Sequence, residues 1–159
     1  MKKKMVFLVA LVLIVSMAFS ALGEEEAAAP AGKNVAVATM TGGAFPIDVK
    51  VDVSTGLSVV FYPDGFSLFE GAFDDSTPPL VTATILSEEV YDKYYADNKD
   101  RDSFTEEYGI CKYTSIIDEI CLLYKIGGTV PFMISFDKSV DEAKAEEIIN
   151  HLELIYENE

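Results

Sequence analysis

Ile47-Asp48-Val49-Lys50-Val51-Asp52-Val53 alternates apolar and charged residues without a break. Successive side chains of an extended chain point to opposite faces, so Ile47, Val49, Val51 and Val53 share one face and the charges take the other. A strand with one apolar and one watered face belongs to an antiparallel sheet, because parallel strands are buried on both sides. The run is bounded by Thr41-Gly42-Gly43 before it and Ser54-Thr55-Gly56 after it, both turn signals.

Outward from that strand, β-branched and aromatic runs recur. Residues 34–40 (NVAVATM) form the preceding strand, and residues 57–62 the following one. Pro63-Asp64-Gly65 is a turn by chemistry: Pro presets φ, and Asp and Gly accept the remaining angles. Residues 66–70 return as the hairpin partner, and 80–86 (LVTATIL) are the next strand. Ser87 is placed to cap a helix over 88–96, with acids in its first turn and Val90/Tyr94 and Tyr91/Tyr95 as i,i+4 pairs on its buried side. Ser103 and Glu106 have capping-box spacing for a short helical turn. Residues 108–115, 120–126 and 130–136 read as three strands, the last two joined tightly at Gly127-Gly128. Ser139 and Glu142 form a second capping box, predicting a long helix from 140 to about 156 with Ala145, Ile148, Ile149, Leu152 and Ile155 as its apolar stripe. Strands, a helix, more strands and a closing helix predict an α+β fold: an antiparallel β-sheet of seven or eight strands, with a short middle helix and a long C-terminal helix packed on it.

The N-terminal 23 residues have the build of a secretory signal peptide. Lys2, Lys3 and Lys4 precede the uncharged apolar run 5–22, and Ala21-Leu22-Gly23 offers small residues for cleavage. The run is also about long enough to span a bilayer uncleaved. The expected location is therefore secreted or extracytoplasmic, cleaved after Gly23 or held by an N-terminal anchor. Residues 24–33 (EEEAAAPAGK) read as a flexible acidic linker, and 34–159 as one domain.

Residues 24–159 hold nine basic and all 27 acidic residues, a net charge of −18. Such a field repels nucleic acid and anionic lipid, which excludes both as partners of the folded domain. Two cysteines, Cys111 and Cys121, permit one disulfide in an exported chain; with 111 and 121 on adjacent strands around a turn, the two are expected to face each other. Their strand contexts favour core thiols over nucleophiles. The single His151 borders the terminal apolar stripe; with no second His, and no Gly-x-Ser-x-Gly elbow, neither a His-rich metal site nor a serine triad is indicated. Asp97, Asp100 and Asp102 concentrate hard oxygen ligands suited to calcium. An EF-hand frame from Asn98, however, puts Ser103 where Gly is required and Gly109 where the bidentate Glu belongs. No cofactor motif is present: neither Gly-Gly pair has the Lys and spacing of a phosphate loop.

Tyr62-Pro63-Asp64-Gly65-Phe66, followed by a strand–helix unit, a meander and a final amphipathic helix, resembles the Mog1/PsbP-like group. The resemblance implies a small binding or accessory module rather than a catalyst, and it carries over no functional residues. The group commonly has Trp where Phe66 stands, and this chain has no Trp. A cystatin-like wrap around the terminal helix is the alternative architecture. The expected function is an exported, non-enzymatic domain that binds a protein, peptide or envelope component. An extracellular hydrolase using carboxylates or Cys/His is the first alternative, and a calcium-assisted adhesion module the second.

Overall fold

The computed structural model describes residues 34–156, apart from residues 44 and 75. The signal segment and the linker predicted above lie outside these residues. The class is α+β, with most of the chain in two antiparallel sheets. A three-stranded sheet has the order β1 (Val35–Met40), β2 (Ile47–Asp52) and β10 (Leu152–Tyr156). A seven-stranded sheet runs β3 (Leu57–Tyr62), β4 (Gly65–Glu70), β5 (Val81–Ile85), β9 (Val130–Phe136), β8 (Ile120–Ile126), β7 (Ile110–Thr114) and β6 (Thr105–Glu107). Two helices join them: α1 (Glu88–Asn98) and α2 (Glu142–Ile149).

The alternating strand behaves as its sequence predicts. Ile47, Val49 and Val51 are wholly buried, and Asp48, Lys50 and Asp52 lie on the outer face. Val53 has left the strand for a short 3-10 turn that Asp52 caps through the Ser54 amide. The small sheet and α2 both pack on one face of the large sheet. Their shared core includes Met40, Val49, Phe66, Phe132, Ile134 and Ile148. Each side chain of this size contributes roughly 1.5–3 kcal/mol by leaving water.

The long C-terminal helix is corrected. Helix α2 has eight residues, is capped by Asp141 accepting from the Lys144 amide, and ends before Asn150. The chain then turns at His151 and continues as β10, antiparallel to β2 with Leu152 opposite Val51 and Leu154 opposite Val49. A helix through this segment would put Ile155 on the core stripe. The strand instead sends Leu152, Leu154 and Tyr156 inward and Ile155 outward, opposite Asp48. Pairing with β2 wins because it satisfies the β2 edge and buries alternate residues at once. The terminal helix of a cystatin-like wrap is absent for the same reason.

Two further expectations change. Ser103 caps no helix: its Oγ accepts from the Thr114 amide, and Thr105–Glu107 is a strand. The predicted strand 108–115 is interrupted at its start, where Tyr108 (φ 54°) and Gly109 (φ 77°) form the turn between β6 and β7. Ser87 does cap α1, accepting from the Val90 amide.

Tyr124 faces the main core, packed edge-on to Phe132, and its hydroxyl is enclosed with no hydrogen-bond partner among the described residues. An enclosed polar group without a partner costs about 1–3 kcal/mol of desolvation. Tyr124→Phe keeps the ring and removes that cost, so it is expected to raise unfolding stability by about 1 kcal/mol in urea titration. A loss of stability would show that the hydroxyl is engaged.

Candidate functional site

The second face of the large sheet is built from the alternate residues of every strand. On β6 to β8 these are Glu106, Cys111, Tyr113, Cys121 and Leu123. Helix α1 covers them with Tyr91 and Tyr95, joined by Leu86, Phe104 and Met133. Tyr95 donates to Glu106 (3.0 Å), which ties α1 to the β6 edge. Lys125 reaches back to Glu88 (2.6 Å) and sits 4.9 Å over the Tyr91 ring. Val90 and Tyr94 lie about 100° around the helix from Tyr91 and Tyr95, off the face that packs on the sheet. They are 39% and 38% exposed. The expected burial of the Val90/Tyr94 pair is corrected: only the Tyr91/Tyr95 pair packs on the sheet.

Past α1 the same face of the sheet continues over β9, β5, β4 and β3, where it is covered only in part: Gly65, Ser67 and Phe69 are buried and Thr82 is exposed. Register aligns Val60, Ser67, Thr82 and Ser135 across β3, β4, β5 and β9, and aligns Tyr62, Gly65, Thr84 and Met133 in the next row. Ser58 pairs with Phe69 below them. Thr82 is exposed, and Val60, Thr84 and Ser135 are half-buried, so this half of the face meets solvent among the described residues. Tyr62 on β3 (46% exposed) bounds it on one side. Phe73 (48% exposed), stacked edge-on to Phe69 at 4.9 Å, stands over the lower end. Ser67 is 94% buried within this floor, and the Ser58 hydroxyl is enclosed with no partner. The Thr84 hydroxyl donates to the Asp64 carbonyl (3.3 Å), and Ser135 contacts the Cys121 sulfur (3.5 Å).

No strand residue of β3, β4, β5 or β9 on this half-face is charged. The contrast with the rest of the surface is chemical. Elsewhere Lys50, Lys93, Lys112, Lys125 and Lys144 each meet a carboxylate within 4 Å, and the surplus acids stay solvated. The candidate site is therefore a charge-free, part-exposed stretch of sheet face around Thr82, with Val60, Thr84 and Ser135 half-buried beside it and Tyr62 and Phe73 at its borders. It can offer donors, acceptors and ring faces, and it offers no ionic contact.

The residues singled out from sequence are not brought together. Cys111 and Cys121 lie under α1, while His151 lies by the small sheet on the other side of the large one. His151 Nδ1 is 3.7 Å from Asp52 Oδ2, and the Ser54 hydroxyl donates to the other oxygen of that carboxylate rather than to the imidazole. The Ser54 hydroxyl is thus bonded to the carboxylate, and the hydroxyl-to-imidazole bond of a Ser–His pair is not made there. Asp97 is paired with Lys93 (2.9 Å), and among the described residues no three His, Cys, Asp or Glu gather as a metal site, Asp97, Asp100 and Asp102 included.

The cysteine register is also corrected. The loop between β7 and β8 is Ile116-Ile117-Asp118, with Asp118 at φ 65°, and the Ser115 amide donates to the Glu119 carbonyl (2.8 Å). That count sets Cys111 opposite Leu123, and Cys121 opposite Tyr113. The two sulfurs are thus diagonal neighbours on strands, a relation of roughly 7–8 Å between Cα atoms, beyond ordinary disulfide reach. Both are buried free thiols.

Burial pushes the Cys111 thiol up to about 11, with the nearby Glu106 adding to it; burial also raises Cys121. Burial raises Tyr91 to about 12 and Tyr113 further still. Each group holds its proton more tightly folded than unfolded, so the folded state binds more protons above the unfolded thiol pKa of about 8.5. The stability is complete below that pH and is lost as pH rises through about 11. Urea midpoints are expected to fall steadily between pH 9 and 11, and both thiols to resist iodoacetamide at pH 8 until the protein unfolds. Rapid alkylation of the native state would contradict the packing of this cluster.

No helix among the described residues is long and apolar enough to cross a membrane. Comparison with known proteins found no matching family model, no matching curated relative and no matching solved structure.

Proposed function

We propose that the chain is an exported, non-enzymatic binding module of the cell envelope, and that its ligand sits on the open half of the large sheet. The single observation that carries this reading is a charge-free, hydroxyl-floored face on a domain whose charge is −18 over residues 24–159. Solubility alone would place charges on an outward sheet face, as β2 does with Asp48 and Lys50. A face kept neutral and bordered by half-exposed aromatics has the composition of a recognition surface. Export rests on Lys2 to Lys4, the apolar run and the small residues that follow it. The Mog1/PsbP-like resemblance of the turn Tyr62–Phe66 points the same way. Protonated thiols remote from His151 give the hydrolase reading no support.

Hydroxyl-radical footprinting of the protein in envelope fraction tests the placement. Tyr62, Tyr94 and Phe73 are expected to be protected. Protection confined to Tyr108 or Ile116, or no protection, would move the binding surface elsewhere. Mass spectrometry of the exported protein tests the address: an N-terminus at Glu24 is expected, whereas an intact Met1 in the membrane fraction would make it an anchored protein.

A further inference from the structure

We infer that the free edge of β3 takes an extended, cationic segment of a partner protein, which adds to the large sheet as a further strand. The inference rests on the binding reading above and deepens it to a partner class, because a strand beside β3 lengthens the same half-face.

Strand β3 ends the large sheet and pairs only with β4. The Gly71 amide donates to the Gly56 carbonyl (2.8 Å), so Gly56, Ser58, Val60 and Tyr62 are the residues whose main chain bonds to the β4 side. The main-chain groups of Leu57, Val59 and Phe61 therefore point off the edge, and no strand among the described residues pairs with them. The side chains of these three pack against the core, yet each is only half-buried, whereas Phe66 and Leu68 on β4 are wholly buried. Water thus reaches the edge along its length.

Folded proteins blunt such edges with charge, proline or a bulge. Strand β3 has none of these over its six residues, Leu-Ser-Val-Val-Phe-Tyr, and its pairing with β4 is regular throughout. The other edges differ. Strand β6 has three residues, two of them Glu, and β10 carries Glu153 beside Lys50. Strand β1 is uncharged, but its inward Ala36 and Ala38 give an added strand little to pack on.

An apolar ligand would cover the outward N–H and C=O groups of β3 and leave them unpaired, whereas an extended main chain matches them in register. Charge then chooses among extended chains. Exposed Asp64 follows Tyr62 in the turn, and exposed Glu70 lies opposite Leu57, so each end of the apolar edge has a carboxylate. Residues 24–159 carry −18, which steers a cationic segment in and sets a second copy of the chain against its own field. A segment with a β-branched centre and a Lys or Arg at each end fits both features.

The test uses the full-length protein, with amide hydrogen exchange at Leu57, Val59 and Phe61 as the readout. The probe is a blocked heptapeptide of alternating valine and threonine between terminal lysines, about the 20 Å length of the strand. At millimolar concentration it is expected to slow exchange at all three amides. The same peptide with terminal glutamates, and the lysine peptide N-methylated at every second amide, should leave exchange unchanged. Val59→Pro, which removes an outward N–H, should abolish the protection. Tyr62→Lys, which meets the incoming cations with a like charge, should weaken it roughly three-fold. Ile117→Ser, on the β7–β8 loop, should leave it intact, and all three variants should keep a native spectrum. Protection by the N-methylated peptide, or equal protection by the glutamate peptide, overturns the inference. So does protection in the free protein that rises with protein concentration, which assigns the edge to a second copy. Peptide shifts at Thr82 and Ser135 without edge protection overturn strand addition and leave the binding face standing. No response at either place overturns both.

Discussion

Replacing Gly65 with Ala is expected to cost roughly 3 kcal/mol, and to do so without touching the hydrophobic core. A Cβ at this position would lie 2.0 Å from the Ala83 carbonyl oxygen and 3.1 Å from the Thr84 Cα. Both are backbone atoms of β5, so no side chain can swing aside to make room. The strands must part at the place where three segments converge. The Pro63 carbonyl accepts from the Thr41 and Gly42 amides (2.8 Å each), and the Asp64 carbonyl accepts from the Ile85 amide (2.7 Å). The turn Pro63-Asp64 thus ties the end of β1 and the end of β5 to the β3–β4 hairpin. Separating β4 from β5 strains all of these bonds together. Urea unfolding of Gly65→Ala checks the expectation, and a loss under about 1 kcal/mol would show that the two strands can part there at little cost.

The sequence turn Tyr62-Pro63-Asp64-Gly65-Phe66 was readable as a hairpin from its residue types alone. Its role as a junction was not, because the partners of its carbonyls lie about 20 residues away on either side. The same division runs through the molecule. Strand β2 was legible because charge marks its outward face at every second residue. The alternation in β5 is as strict, with Thr82 and Thr84 between apolar neighbours, whereas β4 sets Phe69 on the same face as Ser67. Small hydroxyls contrast weakly with Val or Ala, so the stretches read as strands and their outward face passed unnoticed. Strand β2 turns charge outward, whereas the second face of β3, β4 and β5 carries no charge. That comparison needs the register, which no local pattern contains. The cysteine pair shows the cost of lacking it. A turn centred one residue later than expected changes the partner of Cys111 from Cys121 to Leu123.

The C-terminal segment separates the strand from the helix most sharply, through two substitutions three residues apart. Leu152→Ala is expected to destabilise by about 2–5 kcal/mol, since Leu152 is buried in the main core opposite Val51 and its truncation leaves a cavity. That loss by itself fits either structure, because Leu152 belongs to the apolar stripe of a helix as well as to the inner face of β10. Ile155 distinguishes them. In a helix, Ile155 would share the buried stripe with Ile148 and Leu152, and a lysine there would cost several kcal/mol through a charge facing the core. In β10 its side chain stands on the outer face directly opposite Asp48. Ile155→Lys then sets a cation across from a carboxylate, a cross-strand relation worth a few tenths of a kcal/mol, and gives up only half-buried apolar area. Its stability should stay within about 0.5 kcal/mol of the parent while Leu152→Ala falls steeply in the same urea series. A collapse of Ile155→Lys comparable to that of Leu152→Ala would return the segment to the helix and remove β10 from the edge of β2. With β10 in place, the Tyr156 ring closes over Gly127 at the β8–β9 turn, where an added Cβ would fall 2.3 Å from the ring. Strand β10 thereby joins the small sheet to the large one, on the face of the large sheet opposite α1.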